Sequence, residues 1–197
     1  MPGIGLSTQT MHIYLVRHTT PSVAPGICYG RTDLDLAPEH PSEMAAIQAI
    51  LPQDYARYPV YTSPLNRCRR LAQYLHAAPQ PDERLLELDF GSWEMQPWGE
   101  IPQPALQAWM NDFTHHPTPS GDSYEALYAR VQQFWDEITG LQTPMVTVVT
   151  HAGVLQSLLS LLLDIPLSKS FRLQVGYGGV LEVKYQPPAI KLKFLKG

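Results

Sequence analysis

An arginine and a histidine stand side by side at Arg17 and His18, where the apolar run Ile13 to Val16 stops. A run of that kind suits a strand covered on both faces, and α/β sheets place their ligands beyond the carboxyl ends of such strands. Two further strand-like runs end in reactive residues. In "YTSPLNRCRR" the run stops at Ser63, with Arg67 about one helical turn into the helix that follows. In "VTVVTHAG" it stops at His151, and Ala152 and Gly153 then open a helix whose free N–H groups point where His151 faces.

Brought to one point, two guanidiniums, two imidazoles and a helix N-terminus form a set of donors. A phosphoryl group satisfies such a set, because arginine pairs with phosphate oxygens bidentately and keeps its charge at every relevant pH. Nearby cations also favour a neutral, nucleophilic histidine near pH 7. Attack on phosphorus would leave a phosphohistidine held by the same donors. A departing alkoxide then needs a proton. "ERLLELDFGSWEM" offers Glu87, Asp89 and Glu94, and Glu87, where an apolar run breaks, is the first choice. Plainer uses compete. His151 could simply cap its helix, Glu87 could cap or pair with Arg84, and two of Arg67, Arg69 and Arg70 should form a solvated helix face.

The elements that must hold these residues alternate along the chain. Strands are expected at Ile13–Arg17, Pro59–Ser63, Met145–Thr150, Phe171–Val175 and Val180–Tyr185, with the lysine-alternating "AIKLKFLK" as a charge-protected edge strand. Helices are expected in "SEMAAIQAIL" with a serine cap, from Ser63 and Pro64 through "SPLNRCRRLAQYLHA", in "GDSYEALYARVQQFWDEI" capped by Asp122 or Ser123, and in "HAGVLQSLLSLLL". Pro97 to Pro119 reads as one irregular excursion with a short helix near Pro104–Asp112. The pattern predicts an α/β fold: a three-layer α/β/α sandwich on a mainly parallel central sheet.

The totals bound the rest. At 197 residues the chain fits one domain, 1–197, with residues 1–11 as an extension open to disorder. A net charge of −4 does not suit a nucleic-acid surface, so an anionic ligand must be held by local arginines. Cys28 and Cys68 form neither a CxxC pair nor a disulfide framework, which suits a reducing cytoplasm. "MPGIGLSTQTM" lacks the features of a signal peptide, and Val154 to Ile165 is too short to span a bilayer, so no membrane is expected as a partner.

In their order these segments resemble the histidine phosphatase superfamily, which includes phosphoglycerate mutases and α-ribazole phosphatases. "LVRHTTP" resembles its RHG signature, "CYGRTDLDLA" its substrate loop, "TSPLNRCRRLAQYL" its second-arginine motif, "LLELDFGSWEM" its E-x-x-F-G-x-W-E segment, "SGDSYEALYARV" its G-E-S helix start and "VVTHAGV" its second-histidine motif. The resemblance covers Ile13 to Val183 and is nearest in flavour to the α-ribazole-phosphatase-like subgroup. It implies His18 as the phosphorylated nucleophile, a phosphate pocket of Arg17, Arg67 and His151, and Glu87 as proton donor. It also implies that the backbone of Tyr29, Gly30 and Arg31 borders a small phosphorylated substrate, with the Ala152 N–H as a further phosphate donor. No metal and no cofactor are expected.

The chain departs from the pattern. Thr19 stands where RHG has glycine, Thr20 stands where the acidic residue follows it, with Pro21 next, and Met95 replaces the last glycine of a W-E-G turn, which implies a lid over the pocket unlike the family's. The missing mutase motif and a pocket less basic than a bisphosphate would want favour hydrolysis, with α-ribazole phosphate a candidate substrate, over mutase-type phosphoryl transfer. A phospho-ligand or protein interaction module without turnover would not need both histidines and the acid. A serine nucleophile in "GDS" and a metal site on Asp112, His115 and His116 are weaker rivals, because the first opens an amphipathic helix and the second lacks ligand spacing.

Overall fold

The structure, a computed structural model, describes residues 10–196. Six strands form one sheet: β1 (Met11–Arg17), β2 (Val60–Thr62), β3 (Gln80–Pro81), β4 (Met145–Thr150), β5 (Val180–Gln186) and β6 (Ala189–Lys196). Their order is β3-β2-β4-β1-β5-β6. The pairs β3–β2, β2–β4 and β4–β1 are parallel, while β1–β5 and β5–β6 are antiparallel. The sheet is mixed and mostly parallel, as the alternation of elements predicts.

Apolar side chains leave both faces of the central strands. Ile13 and Leu15 of β1 join Val146 and Val148 of β4 in one cluster; Tyr14 and Val16 join Met145 and Val149 in another. Helices α1 (His40–Gln48) and α2 (Asn66–Leu75) cover the second face. Helices α4 (Tyr124–Thr139) and α5 (Ala152–Leu162) cover the first, with aromatic residues contributed by α3 (Gln103–Asn111) and the segments around it. Burial from both sides is why β1 and β4 read as unbroken apolar runs. β6 lies at the sheet edge with Lys191 and Lys193 exposed.

Several boundaries differ from the sequence expectation. β1 begins at Met11, which removes that residue from the expected extension at 1–11; residues 1–9 of it lie outside the described residues. Ser42 does not cap α1: the cap position is Glu39, and the Ser42 hydroxyl donates back to the Glu39 carbonyl at 2.8 Å. α2 starts at Asn66 rather than at Ser63, because the extended backbone of Leu65 separates it from β2. Arg67 therefore lies in the first turn of α2.

Phe171–Val175 is not a strand. A 3-10 turn covers Leu167–Arg172, and Phe171 stacks on Phe113 at 4.2 Å between ring centroids. Tertiary aromatic packing overrides the strand preference of that short segment. The short β3 was absent from the sequence reading; it has two residues, one of them a proline, and offers no apolar alternation.

Candidate active site

Register brings the reactive residues together. Arg17 pairs with Thr150 across β1 and β4, and Thr62 pairs with Val149 across β2 and β4. His18, His151 and Ser63, each the next residue along its chain, leave the sheet at one level. The ladder runs one rung further, with the His18 N–H donating to the Thr150 carbonyl at 3.0 Å and the Ser63 N–H to the Val149 carbonyl at 3.0 Å.

The His18 ring is 2% exposed. Its Nδ1 lies 2.7 Å from the Thr19 carbonyl, which can only accept, so Nδ1 carries the proton and Nε2 keeps its lone pair. Burial, then the charges of Arg67 and Arg17, hold its pKa well below the ordinary histidine value. Thr19 is fully buried and is not among the residues with positive φ, so the backbone there does not require glycine. Thr20 supplies an N–H and a hydroxyl to the Glu43 carboxylate of α1, both at 2.7 Å.

Arg67 and His151 are both 0% exposed. Arg67 donates from Nε to His151 Nδ1 at 3.3 Å, from Nη1 to the Thr32 carbonyl at 2.9 Å and from Nη2 to the Gly30 carbonyl at 2.5 Å. Each terminal nitrogen keeps a second N–H. Because His151 Nδ1 accepts, its Nε2 carries the proton and donates to Ser63 Oγ at 2.7 Å. The two imidazoles stand 5.1 Å apart. Burial, then Arg67, His18 and Arg17, depress the His151 pKa as well.

Arg17 donates from Nη1 to the Val175 carbonyl at 2.6 Å, while its buried Nε has no partner. The guanidinium lies 3.9 Å over the ring of Tyr177. That ring also sits 5.6 Å from His18, and its hydroxyl is hydrogen-bonded to that of Tyr29. Tyr29 in turn faces the Arg67 guanidinium. The sequence reading missed Tyr177; the signal it had was one aromatic residue among the glycines of 176–179. Backbone bonds from Gly178 to His18 and from Arg17 to Gly179 hold that segment against the strand end.

The three carboxylates separate by their partners. Glu87 accepts the Gly153 N–H at 3.0 Å and its neighbour's Leu88 N–H at 2.9 Å. It does cap α5, and it does not pair with Arg84, whose guanidinium holds Asp82 at 2.6 Å and Glu137 at 2.7 Å. A Cβ on Gly153 would come within 2.3 Å of Glu87 Oε1, so the contact requires glycine there.

Glu94 accepts from the N–H groups of Gly30, Arg31, Thr32 and Phe90 and from the Thr32 hydroxyl. Burial pushes its pKa up, but those hydrogen bonds outweigh it and the net shift is downward. Asp89 accepts from Gly91 N–H at 2.8 Å and lies 3.8 Å from Arg31. Of the three, Glu87 is the one that lines the aromatic cavity. The backbone at Gly30 and Thr32 borders Arg67, whereas the Arg31 side chain turns to Asp122 at 2.8 Å.

That cavity has a volume of about 800 Å³, with Glu87, Ala152 and Gly153 on one wall. Phe90, Trp98, Trp109, Tyr124 and Phe171 form much of the remainder. Trp98 and Trp109 are stacked, 6.2 Å apart and 27° from parallel. Both come from the excursion at Pro97 to Pro119, which the sequence showed as irregular and without a role.

The rival sites do not assemble. Ser123 caps α4 by accepting the Ala126 N–H at 3.2 Å. His115 pairs with Asp112 at 2.8 Å on the surface, and among the described residues no three His, Cys, Asp or Glu side chains gather as metal ligands. Nor is any helix among them long and apolar enough to cross a membrane.

A mostly parallel sheet whose strand ends bring two histidines and two arginines together, beside a cavity lined by Glu87, Ala152 and Gly153, has the architecture and the chemical groups of a phosphatase. The family model described as the histidine phosphatase superfamily (branch 1) matches residues 13–196, and the chain belongs to that superfamily. Among curated relatives, the adenosylcobalamin/alpha-ribazole phosphatase of Escherichia coli is 25% identical over 177 residues, covering 85% of this chain and 87% of its own. A crystal structure of a putative alpha-ribazole-5'-P phosphatase from the same organism superposes with a TM-score of 0.87 at 23% identity, over 96% of this chain and 97% of its own. A mycobacterial glucosyl-3-phosphoglycerate phosphatase shares the fold, with a TM-score of 0.79 at 19% identity, over 94% of this chain and 97% of its own.

Proposed function

We propose that this phosphatase hydrolyses a small phosphorylated metabolite through a phosphohistidine on His18, and that the alcohol it releases carries a planar apolar group. The observation that carries the reading is the His18 tautomer: a neutral ring with its Nε2 lone pair free, among cationic donors in a buried site. In the first step Nε2 forms a bond to phosphorus, the ester P–O bond breaks, and the leaving alkoxide takes a proton from Glu87. Arg17, Arg67 and the Ala152 N–H hold the phosphoryl oxygens as their charge redistributes, and His151 joins them when its Nε2–H turns from Ser63 to the phosphoryl group. In the second, water gives its proton back to Glu87 and its oxygen to phosphorus, the N–P bond breaks, and inorganic phosphate leaves. No metal or cofactor enters the scheme.

The cavity supports the choice of alcohol. Aromatic side chains, rather than guanidiniums, face the side where the leaving group would sit, which suits a flat apolar ring and not the second phosphate of a bisphosphate. α-Ribazole phosphate, whose alcohol bears an aromatic base, fits that description, and the names of the enterobacterial relatives point the same way.

Hydrolysis of α-ribazole phosphate and p-nitrophenyl phosphate in EDTA, with release of inorganic phosphate as readout, tests both parts. His18→Ala should lose at least about a thousandfold in kcat on each substrate, and wild type quenched in alkaline denaturant should hold an acid-labile, base-stable phosphoryl group that the variant lacks. Equal turnover by the variant would remove the nucleophile. A preference for ribose 5-phosphate, which lacks the aromatic base, over α-ribazole phosphate would overturn the assignment of the alcohol.

A further inference from the structure

The Glu87 carboxylate is held by the Gly153 and Leu88 N–H groups, but its main chain belongs to no regular element. It follows the 3-10 turn at Glu83–Leu85 and precedes the one at Gly91–Trp93, outside every strand of the sheet. A proton donor must be placed to within a fraction of an ångström of its target, and a backbone without a ladder does not ensure that. Two side chains from other elements take up the role, the first being Thr150 of β4, whose hydroxyl donates to the Leu85 carbonyl at 2.9 Å. Arg130, on the face of α4 turned toward this segment, donates from Nη1 to the carbonyls of Arg84 at 2.7 Å and Leu86 at 2.5 Å, and from Nη2 to the carbonyl of Glu87 at 3.0 Å. Three charge-assisted bonds from one rigid fork therefore span the four residues that end at Glu87.

The arginine is itself held. Asp122 lies 4.0 Å from it and 2.8 Å from Arg31, so one carboxylate stands between two guanidiniums. Burial, then the charge of Arg31, bring the Arg130 pKa down to about 10, which still leaves it protonated at neutral pH. It does not line the aromatic cavity, and it bonds to main-chain carbonyls rather than to the carboxyl of Glu87.

We infer that Arg130 is a positioning residue for the leaving-group proton: it fixes the main chain of 84–87 so that the Glu87 carboxyl faces the departing oxygen, without touching substrate. This rests on Glu87 being the donor, as proposed above.

The test uses two leaving groups of unequal need. p-Nitrophenolate departs without help, while the alkoxide of 2-phenylethyl phosphate requires a proton and still carries a ring for the cavity. The purified full chain is compared with Arg130→Gln, Arg130→Lys and Glu87→Gln. Arg130→Gln should lower kcat tenfold to a hundredfold on the alkyl ester and less than threefold on the aryl ester, with KM within twofold on both. Arg130→Lys, which keeps the charge but not the fork, should fall between, and it carries the test should the glutamine variant not fold. Equal losses on both esters, or none, while Glu87→Gln keeps its leaving-group dependence, would overturn the role of Arg130 and leave Glu87 in place. Equal losses in Glu87→Gln would remove the donor, and this inference with it.

Discussion

His18 gets its reactive tautomer from a single carbonyl, that of Thr19. Residue 19 need not be glycine because the backbone there stays out of the left-handed region. The opposite holds at Met95, where φ is 64° and the side chain is 47% exposed. A left-handed non-glycine residue costs about 1–2 kcal/mol, and the resemblance had placed a glycine there. Met95→Gly should therefore stabilise the protein by up to about 1 kcal/mol once the greater freedom of glycine in the unfolded chain is deducted, seen as a higher urea midpoint at unchanged slope. A lower midpoint would mean that the methionine makes contacts worth more than its strain. Which carboxylate faces the cavity was not legible at this scale either. Glu87 and Glu94 lie in one motif, and only their partners separate them: Glu94 meets five donors in the chain, while Glu87 lines the aromatic cavity.

Between elements, the site depends on two irregular segments clasped together. The loop after Cys28 meets the segment 87–94 so closely that a Cβ on Gly30 would lie 1.8 Å from the Leu88 carbonyl oxygen. The same loop presents the Gly30 and Thr32 carbonyls to Arg67. Gly30→Ala must push the two segments apart, so it should cost about 2 kcal/mol or more in unfolding free energy and lower kcat together with stability, measured by urea denaturation and phosphate release. An alanine variant as stable as wild type would show that the clasp yields. Periodicity and capping made α4 legible, since Ser123 caps it and Leu127, Val131, Phe134 and Ile138 are buried. Neither signal exists for 3-10 turns and loops, which is why Phe171–Val175 was read as a strand.

Across the whole molecule, burying two neutral imidazoles ties stability to pH. The folded-state pKa values of His18 and His151 lie well below the ordinary value near 6.5, while the unfolded chain titrates close to it. Below about pH 6.5 the unfolded state therefore binds protons that the folded state does not, and stability must fall as pH falls. Each proton contributes a slope of up to about 1.4 kcal/mol per pH unit. Urea unfolding between pH 7 and pH 5 should show stability declining with acidity, and His18→Ala should remove roughly half of the part due to this pair. A profile flat over that range would show that the imidazoles are solvated or charged in the folded protein.

The residues that meet at the strand ends, their order along the chain and the mostly parallel sheet that gathers them could be read from the string of letters, because each leaves a local mark: an apolar run that stops at a charge, or a small-residue helix start after a histidine. The aromatic cavity, the covering Tyr177, the contact of Glu87 with the start of α5 and the grip of Arg130 could not. Those features arise where segments far apart in the chain meet, and the contacts that define them are made by loops, whose conformation no periodicity records.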